Sequence, residues 1–410
     1  MKLFYRYKDN ETLKKIIIVL SGTAAAQVIN LLFTPVITRI FGPDAYGEFG
    51  SYMAVLGILG PISALCYPKA IVMARSLEDV RSLIAGSIYV SLLFSLITLL
   101  PVSVFFILYS IPSFYFILPI GIVFYVLYET SEQLEIRRES FKIISKVYLL
   151  QALILSTLKI IIGENFPSGY TLVLLHSFGY LVFFILFSFN KKFIFHKFSV
   201  DKLKEYNEFP KYRAPQVLIN SLSQSLPVLM LAVFFGSSMA GYYALSKTVV
   251  GVPVSMLSRA IGSVYYPKIA VMYNNGFSFY STLKKVTFFL FLLGLPLVLI
   301  LIISGEDIFI LFFGSEWGMS GRFSGYISIW LYGAFISSSV TQAIPMLGLQ
   351  KQFLMYTIAL TICRAVVIYL GFLVMGVEES ILLFSLVGFA FNIMLTIYVL
   401  LVCKSAGRRL

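Results

Sequence analysis

Four basic residues of this sequence lie within long apolar stretches: Lys159, Lys247, Arg259 and Arg364. Lys159 lies near the outer end of its stretch, where its side chain can reach the interface, so we interpret it as structural. The other three could bind an anion. The alternative is a structural ion pair, but the apolar stretches contain no Asp or Glu at comparable depth, since Glu129 and Glu132 lie at the inner end of their stretch. An Arg holds phosphate through two parallel hydrogen bonds, whereas a Lys acts as a point charge. We therefore predict that Arg259 and Arg364 bind a diphosphate and that Lys247 provides a third contact.

Two other segments carry polar side chains three or four residues apart, about one helical turn, which places them on one face of a helix. The first set is Thr23, Gln27, Asn30, Thr34 and Thr38, and the second is Gln216, Asn220, Ser223 and Gln224. One such set alone is explained equally well by hydrogen bonds between membrane helices. Because two sets occur at equivalent places, we favour the interpretation that they line a polar cavity.

These residues must be positioned by helices that cross a membrane. Hydrophobic residues make up 59% of the 410 residues and charged residues 12%, with a mean hydropathy of +0.89. Soluble domains contain about 45–50% apolar and about 25% charged residues. A bilayer crossing needs roughly 20 apolar residues, so we predict an all-α integral membrane protein with about twelve spans. The spans lie near residues 16–39, 47–70, 82–108, 114–134, 145–163, 170–189, 215–236, 240–267, 284–304, 323–348, 353–375 and 380–402.

Basic residues are distributed unevenly between the two ends of these spans. With the N-terminus inside, the inner segments contain most of the 32 Lys and Arg residues, for example Lys14, Lys15 and Lys211. The outer segments instead carry carboxylates such as Glu164 and Glu306. The positive-inside rule then predicts that both termini are cytoplasmic. Topology and contact with anionic lipid explain most of the net charge of +13, which gives no reason to expect a nucleic-acid partner.

The longest inner loop divides the predicted spans into two related groups of six. We predict an N-terminal lobe at residues 1–190, a cytoplasmic loop at 191–214 and a C-terminal lobe at 215–410. Phe41-Gly42 and Phe235-Gly236 occupy equivalent places, and YPKAIVM at residues 67–73 recurs as YPKIAVM at residues 266–272. Because an even number of spans separates the copies, the repeats are parallel. Parallel repeats are a transporter architecture, with a substrate site expected between the halves.

Residues 23–70, with the core TPVITRIFGPDAYG at 34–47, resemble the opening of the Wzx-type polysaccharide flippases of the MOP superfamily. GYYAL at residues 241–245 and AIGSVYYP at 260–267 carry the same resemblance. It implies a two-lobed, MATE-like, alternating-access flippase in the bacterial inner membrane. The implied cargo is undecaprenyl-pyrophosphate-linked oligosaccharide for O-antigen or a related surface polysaccharide. Membrane lipids, a polysaccharide polymerase and a chain-length regulator are the implied partners. Tyr52, Tyr243 and Tyr332 are candidates for stacking on sugars.

Two other functions remain open. A multidrug or cation antiporter of the MATE type would want a buried carboxylate, which the deep parts of the predicted spans lack. A membrane polysaccharide polymerase or ligase would need a substantial outer loop, whereas the longest outer segment, near residues 305–322, is short and acidic. We identify no catalytic residues, no metal site and no cofactor motif, and we expect a transporter rather than an enzyme.

Overall fold

The computed structural model describes residues 2–188 and 199–406, so the part of the predicted central loop at residues 191–198 lies outside the described residues. The chain forms two compact units, Met1–Ser225 and Leu226–Leu410. The described residues are almost entirely helical and contain no strand. The prediction of an all-α membrane protein is therefore confirmed.

Seven helices belong to the first unit. They are α1 (Lys2–Ser63), α2 (Tyr67–Ala70), α3 (Leu77–Tyr109), α4 (Leu118–Arg137), α5 (Phe141–Gly163), α6 (Gly169–Ser188) and α7 (Val200–Lys204). Short 3₁₀ turns at Ile71–Met73 and Ser113–Ile117 precede α3 and α4. A capping box, in which Ser76 and Asp79 exchange side-chain and backbone hydrogen bonds, begins α3. The core of this unit includes the fully buried Tyr52, Ile122 and Val173.

Six helices follow, of which α8 contains the boundary between the two units. They are α8 (Ala214–Phe235), α9 (Ser237–Asn274), α10 (Tyr280–Phe313), α11 (Gly318–Thr341), α12 (Gln350–Val374) and α13 (Val377–Ala406). The helices α10 and α11 approach closely because Gly305 meets Gly321, and a methyl group at Gly321 would lie 2.4 Å from the Gly305 carbonyl oxygen. Close approach through small residues is a common way to pack membrane helices.

The Phe-Gly pair found twice in the sequence makes the same backbone turn in both units. Gly42 interrupts α1 at φ 69°, ψ 174°, and Gly236 separates α8 from α9 at φ 88°, ψ 175°. Positive φ is accessible to Gly without the steric penalty that other residues meet. The two turns match in conformation as well as in sequence, as the predicted repeat requires.

Nine segments of the described chain are long and apolar enough to cross a membrane. The first of them, Gly22–Ser63, extends on both sides of the break in α1 at Gly42. The helices α9 and α11, with 38 and 24 residues, also have spanning length but are less apolar. Several predicted ends differ from the structure. The eighth and ninth spans are longer than predicted, because α9 continues to Asn274 and α10 to Phe313. Two other spans are shorter. The second span ends at Ser63, where a turn with positive φ at Leu65 and Cys66 precedes Pro68, and the tenth ends at Thr341.

Candidate anion-binding site in the C-terminal unit

Arg364 lies on α12 and is packed between two aromatic rings. Its guanidinium carbon is 4.7 Å from the ring centroid of Trp330 on α11 and 4.5 Å from that of Phe384 on α13. Only 4% of the residue is exposed. Cation–π contacts of this kind attract the guanidinium to the ring faces and fix its plane. Three helices of one unit thus hold a buried cation in a defined orientation.

Two nitrogens of this guanidinium, Nε and Nη2, are buried and have no hydrogen-bond partner among the residues that the structure describes. An unpaired charge in the interior is strongly unfavourable, so such a group normally binds an anion, a water molecule or an acidic side chain. Gly388 on α13 lies directly against Nη2, and a methyl group there would overlap it. The space beside the guanidinium therefore depends on a glycine.

Other polar groups of the same unit lie around Arg364. Lys247 and Tyr243 on α9 and Tyr356 on α12 are all within electrostatic range of it. The Tyr356 hydroxyl and the Trp330 indole Nε1 are likewise buried without a hydrogen-bond partner in the described part of the chain. Two neutral donors without a hydrogen-bond partner in the described residues, on Trp330 and Tyr356, therefore lie near a positive charge. Such a set complements an anion rich in acceptor oxygens, such as phosphate.

Arg259, the other predicted diphosphate ligand, does not join this group. It lies on an exposed part of α9 and donates from Nε to the Ser255 carbonyl at 3.3 Å and from Nη2 to the Ser255 hydroxyl at 3.4 Å. Lys247 and Arg259 are separated by about 18 Å of rise on an ideal helix. Lys247 and Arg364 lie within electrostatic range of each other, and Arg259 lies on an exposed part of α9. The roles predicted for all three residues stay predictions.

The polar stripe on α1 divides into a buried and a more open part. Thr34 and Thr38 are buried and donate to the carbonyls of Asn30 and Thr34, at 2.7 and 3.0 Å. Asn30 is exposed, and its side-chain oxygen accepts a hydrogen bond from Ser156 on α5 at 3.3 Å. Thr23 and Gln27 are half-buried. Threonine hydroxyls that donate to their own helix are not available as donors to a ligand.

The equivalent stripe on α8 is more exposed. Asn220 and Gln224 are exposed, Gln216 is half-buried, and Ser223 is buried. Gln216 accepts a hydrogen bond from Arg213 Nη1 at 2.9 Å. The amide groups of both stripes are therefore accessible, while their role as the lining of a cavity stays a prediction.

The tyrosines suggested for sugar stacking are poorly placed for that role. Tyr52, Tyr243 and Tyr332 are buried within their own units. The Tyr52 hydroxyl lies 2.7 Å from that of Ser177, and the Tyr332 hydroxyl donates to the Phe291 carbonyl at 2.8 Å. None of the three presents an open ring face in this structure.

The sequence did not predict the contacts of Trp330 and Phe384 with Arg364. Trp330 is one of 2 Trp residues in the chain and lies inside a predicted span rather than at its end, where membrane Trp residues usually concentrate. That position was a usable signal. A smaller arrangement in the first unit was also missed, in which Lys159 Nζ lies 5.2 Å from the centroid of the Phe49 ring, next to His176.

Comparisons with known proteins agree with this architecture. The family described as "Polysaccharide biosynthesis protein" matches residues 36–321. The structure of a multidrug resistance MATE family transporter of the MOP superfamily, in an inward-facing conformation, has a TM-score of 0.74 at 14% identity, covering 96% of this chain and 99% of that one. Lipid II flippase MurJ, in an inward closed conformation, has a TM-score of 0.75 at 13% identity, covering 95% and 90%.

A third structure concerns the polarity of the binding pocket. It is a MOP superfamily transporter from Pyrococcus furiosus Vc1 (DSM3638), described with the words "Reverse polarity of binding pocket suggests different function". It has a TM-score of 0.61 at 15% identity, covering 94% of this chain and 96% of that chain. No curated protein matches the sequence. At these identities the structural likeness establishes the fold and leaves the cargo open.

Proposed function

We propose a transport function for this chain, which belongs to the polysaccharide biosynthesis protein family. It is a multi-pass membrane protein with the fold of MOP superfamily transporters. The proposed activity is the flipping of a lipid-linked oligosaccharide diphosphate across the membrane by alternating access. The cargo is an undecaprenyl-pyrophosphate-linked repeat unit of O-antigen or a related surface polysaccharide. The proposed membrane is the bacterial inner membrane, with both termini cytoplasmic.

The observation that carries this proposal is the buried, incompletely partnered guanidinium of Arg364. A diphosphate offers several charged acceptor oxygens. These match the Nε and Nη2 donors, which have no partner in the described part of the chain, and the Lys247 ammonium within electrostatic range. Trp330 and Phe384 hold the guanidinium plane before the anion arrives, so little conformational freedom is lost on binding. The site therefore suits an anionic head group that must cross a zone where charge is costly.

A drug or cation antiporter is the second candidate, because MATE transporters share the fold. A site for a cationic drug requires negative charge, whereas the polar cluster of the C-terminal unit is centred on Arg364 and Lys247. The Pyrococcus furiosus transporter, described by a reversed pocket polarity, is a precedent for linking polarity to function within this fold. The charge of the cluster supports an anionic cargo over a cationic one.

A polymerase or ligase is less well supported. Glu306, which could be read as part of an outer catalytic group, accepts a hydrogen bond from Arg322 Nη1 at 3.2 Å. Arg322 also pairs through Nε with Glu378 at 3.2 Å. Through these ion pairs with Arg322, the two carboxylates connect α10, α11 and α13. A non-enzymatic transporter, working with a separate polymerase and chain-length regulator, is the simpler proposal.

Deletion of the gene followed by complementation tests the proposal. The deletion strain is expected to lose surface polysaccharide and to accumulate lipid-linked oligosaccharide, without becoming more sensitive to cationic drugs. Arg364→Ala and Arg259→Ala should fail to restore the polysaccharide although both proteins reach the membrane, as checked by immunoblot of membrane fractions. Drug sensitivity without accumulated lipid-linked oligosaccharide would favour the antiporter. Full restoration by both variants would refute their role as essential ligands.

A further inference from the structure

An apolar groove lies between α12 and α13, in the same unit as Arg364. It encloses about 330 Å³, within the range of about 300–1,000 Å³ typical of small-molecule sites. Phe353, Met355 and Tyr356 line it from α12, and Met394 and Tyr398 line it from α13. Met355 and Met394 are both more than half exposed, at 62% and 57%. Flexible thioether side chains adapt readily to an irregular apolar ligand.

Tyr356 connects this groove to the cation. It lines the groove, and it lies within electrostatic range of Arg364. The two residues are separated by about 12 Å of rise along α12. On α13, Gly388 packs against Arg364, while Met394, Leu395, Tyr398 and Val399 line the groove. Each of the two helices therefore carries one residue at the guanidinium and others that line the groove.

A ligand that satisfies both parts must carry an anionic head and an apolar chain. We propose that the groove holds the isoprenoid chain of the lipid-linked diphosphate whose head group Arg364 binds, an inference that rests on the proposed function. A diphosphate on Arg364 places the first isoprene units beside Tyr356 and the following units between Met355 and Met394. The positive charge of Arg364, within electrostatic range of the groove residue Tyr356, favours an occupant with an anionic head over a bulk membrane lipid. The site would thus recognise the isoprenoid chain of the carrier lipid as well as the charge of its diphosphate.

The experiment measures equilibrium binding of two radiolabelled probes to the full chain in lipid nanodiscs, with empty nanodiscs as the blank. Isopentenyl diphosphate reports the head-group site, and farnesyl diphosphate adds a chain long enough to enter the groove. Met394→Trp fills the groove with a larger ring. Ile397→Trp is the matched control, because Ile397 lies on the same helix, is 53% exposed and does not line the groove.

Met394→Trp is expected to weaken farnesyl diphosphate binding about tenfold, through loss of apolar contact, and to leave isopentenyl diphosphate binding at the wild-type level. Ile397→Trp should change neither. Farnesyl diphosphate binding that is equal in the wild type and in Met394→Trp would overturn the groove proposal, since the chain would then lie elsewhere or bulk lipid would fill the groove. Failure of the wild-type protein to bind either probe would instead contradict the proposed function itself. Size-exclusion elution of both Trp variants at the wild-type volume confirms that they fold.

Discussion

Arg364 is buried, yet two nitrogens of its charged group have no hydrogen-bond partner in the described residues. A buried cation is costly, and in most proteins an acidic partner offsets that cost. Here two aromatic rings flank the guanidinium, and two of its nitrogens have no partner in the described residues. Aromatic contact alone recovers about 0.5–2 kcal/mol per ring, which is less than the several kcal/mol needed to desolvate the charge. A bound anion would offset the rest of that cost, as the proposed function requires.

Gly388 gives a test of this geometry that leaves the charge in place. In Gly388→Ala the new methyl group would overlap Arg364 Nη2, so the guanidinium must shift and its donors lose their alignment. We expect diphosphate binding to weaken about tenfold or more, equivalent to about 1.4 kcal/mol. The measurement is isopentenyl diphosphate binding in nanodiscs.

Gly251→Ala provides the control for this substitution. Gly251 lies on α9, and a methyl group there would meet nothing within 4 Å. Binding by this variant should equal that of the wild type. Equal binding by Gly388→Ala and Gly251→Ala would mean that the orientation of the guanidinium does not matter for the anion.

At the scale of elements, α7 fastens the segment after residue 198 to the first unit. Lys202 donates to Glu78 at 2.8 Å and to Asp79 at 3.1 Å, and Tyr206 donates to Asp79 at 3.2 Å. Leu203 packs against Gly86 on α3. These contacts make residues 199–206 part of the first unit rather than a detached loop.

Hydrogen exchange can measure this attachment. The hydrogen bond to Glu78, followed by that to Asp79, raises the pKa of Lys202. Since the raised pKa belongs to the folded state, the interaction persists below the ordinary lysine pKa of about 10.4 and is lost only as pH rises through the raised value. At neutral pH, Lys202→Met should therefore speed amide exchange across α7. Lys204→Met is the control, because Lys204 pairs with Asp201 of the same short helix, and equal exchange in both variants would argue against the attachment.

Elements were easier to predict from the sequence than contacts between them. Long apolar runs gave the helices, and the two Phe-Gly pairs gave turns whose backbone angles agree closely. The same reasoning missed the rings of Trp330 and Phe384 around Arg364, because the rotation of one helix against another depends on packing across the whole unit. It also grouped Arg259 with Arg364, since an apolar neighbourhood in sequence does not reveal which side of a helix is buried. The end of the second span was placed too late because a hydrophobic run continues through the turn at Leu65 and Cys66.

For the whole molecule, the number of spans decides which side of the membrane each loop faces. Nine segments of the described chain are long and apolar enough to cross a membrane, and the first of them contains helix on both sides of Gly42. The less apolar α9 and α11 must also cross if the total is to be about twelve. Their polar residues, including Lys247 on α9, are then at membrane depth within the protein, where the proposed anion site needs them.

Labelling of introduced cysteines tests this topology. Asn165 lies in the exposed turn between α5 and α6, and Ser278 lies in the exposed segment between α9 and α10. With twelve spans and cytoplasmic termini, a membrane-impermeant maleimide added to intact cells should label Asn165→Cys, whereas Ser278→Cys should react only after permeabilisation. The native Cys66 and Cys403 are buried and Cys363 is half-buried, so the parent protein measures the background. Labelling of Ser278→Cys in intact cells would mean that α9 does not cross, which would remove Lys247 from the membrane interior and contradict its place beside the diphosphate.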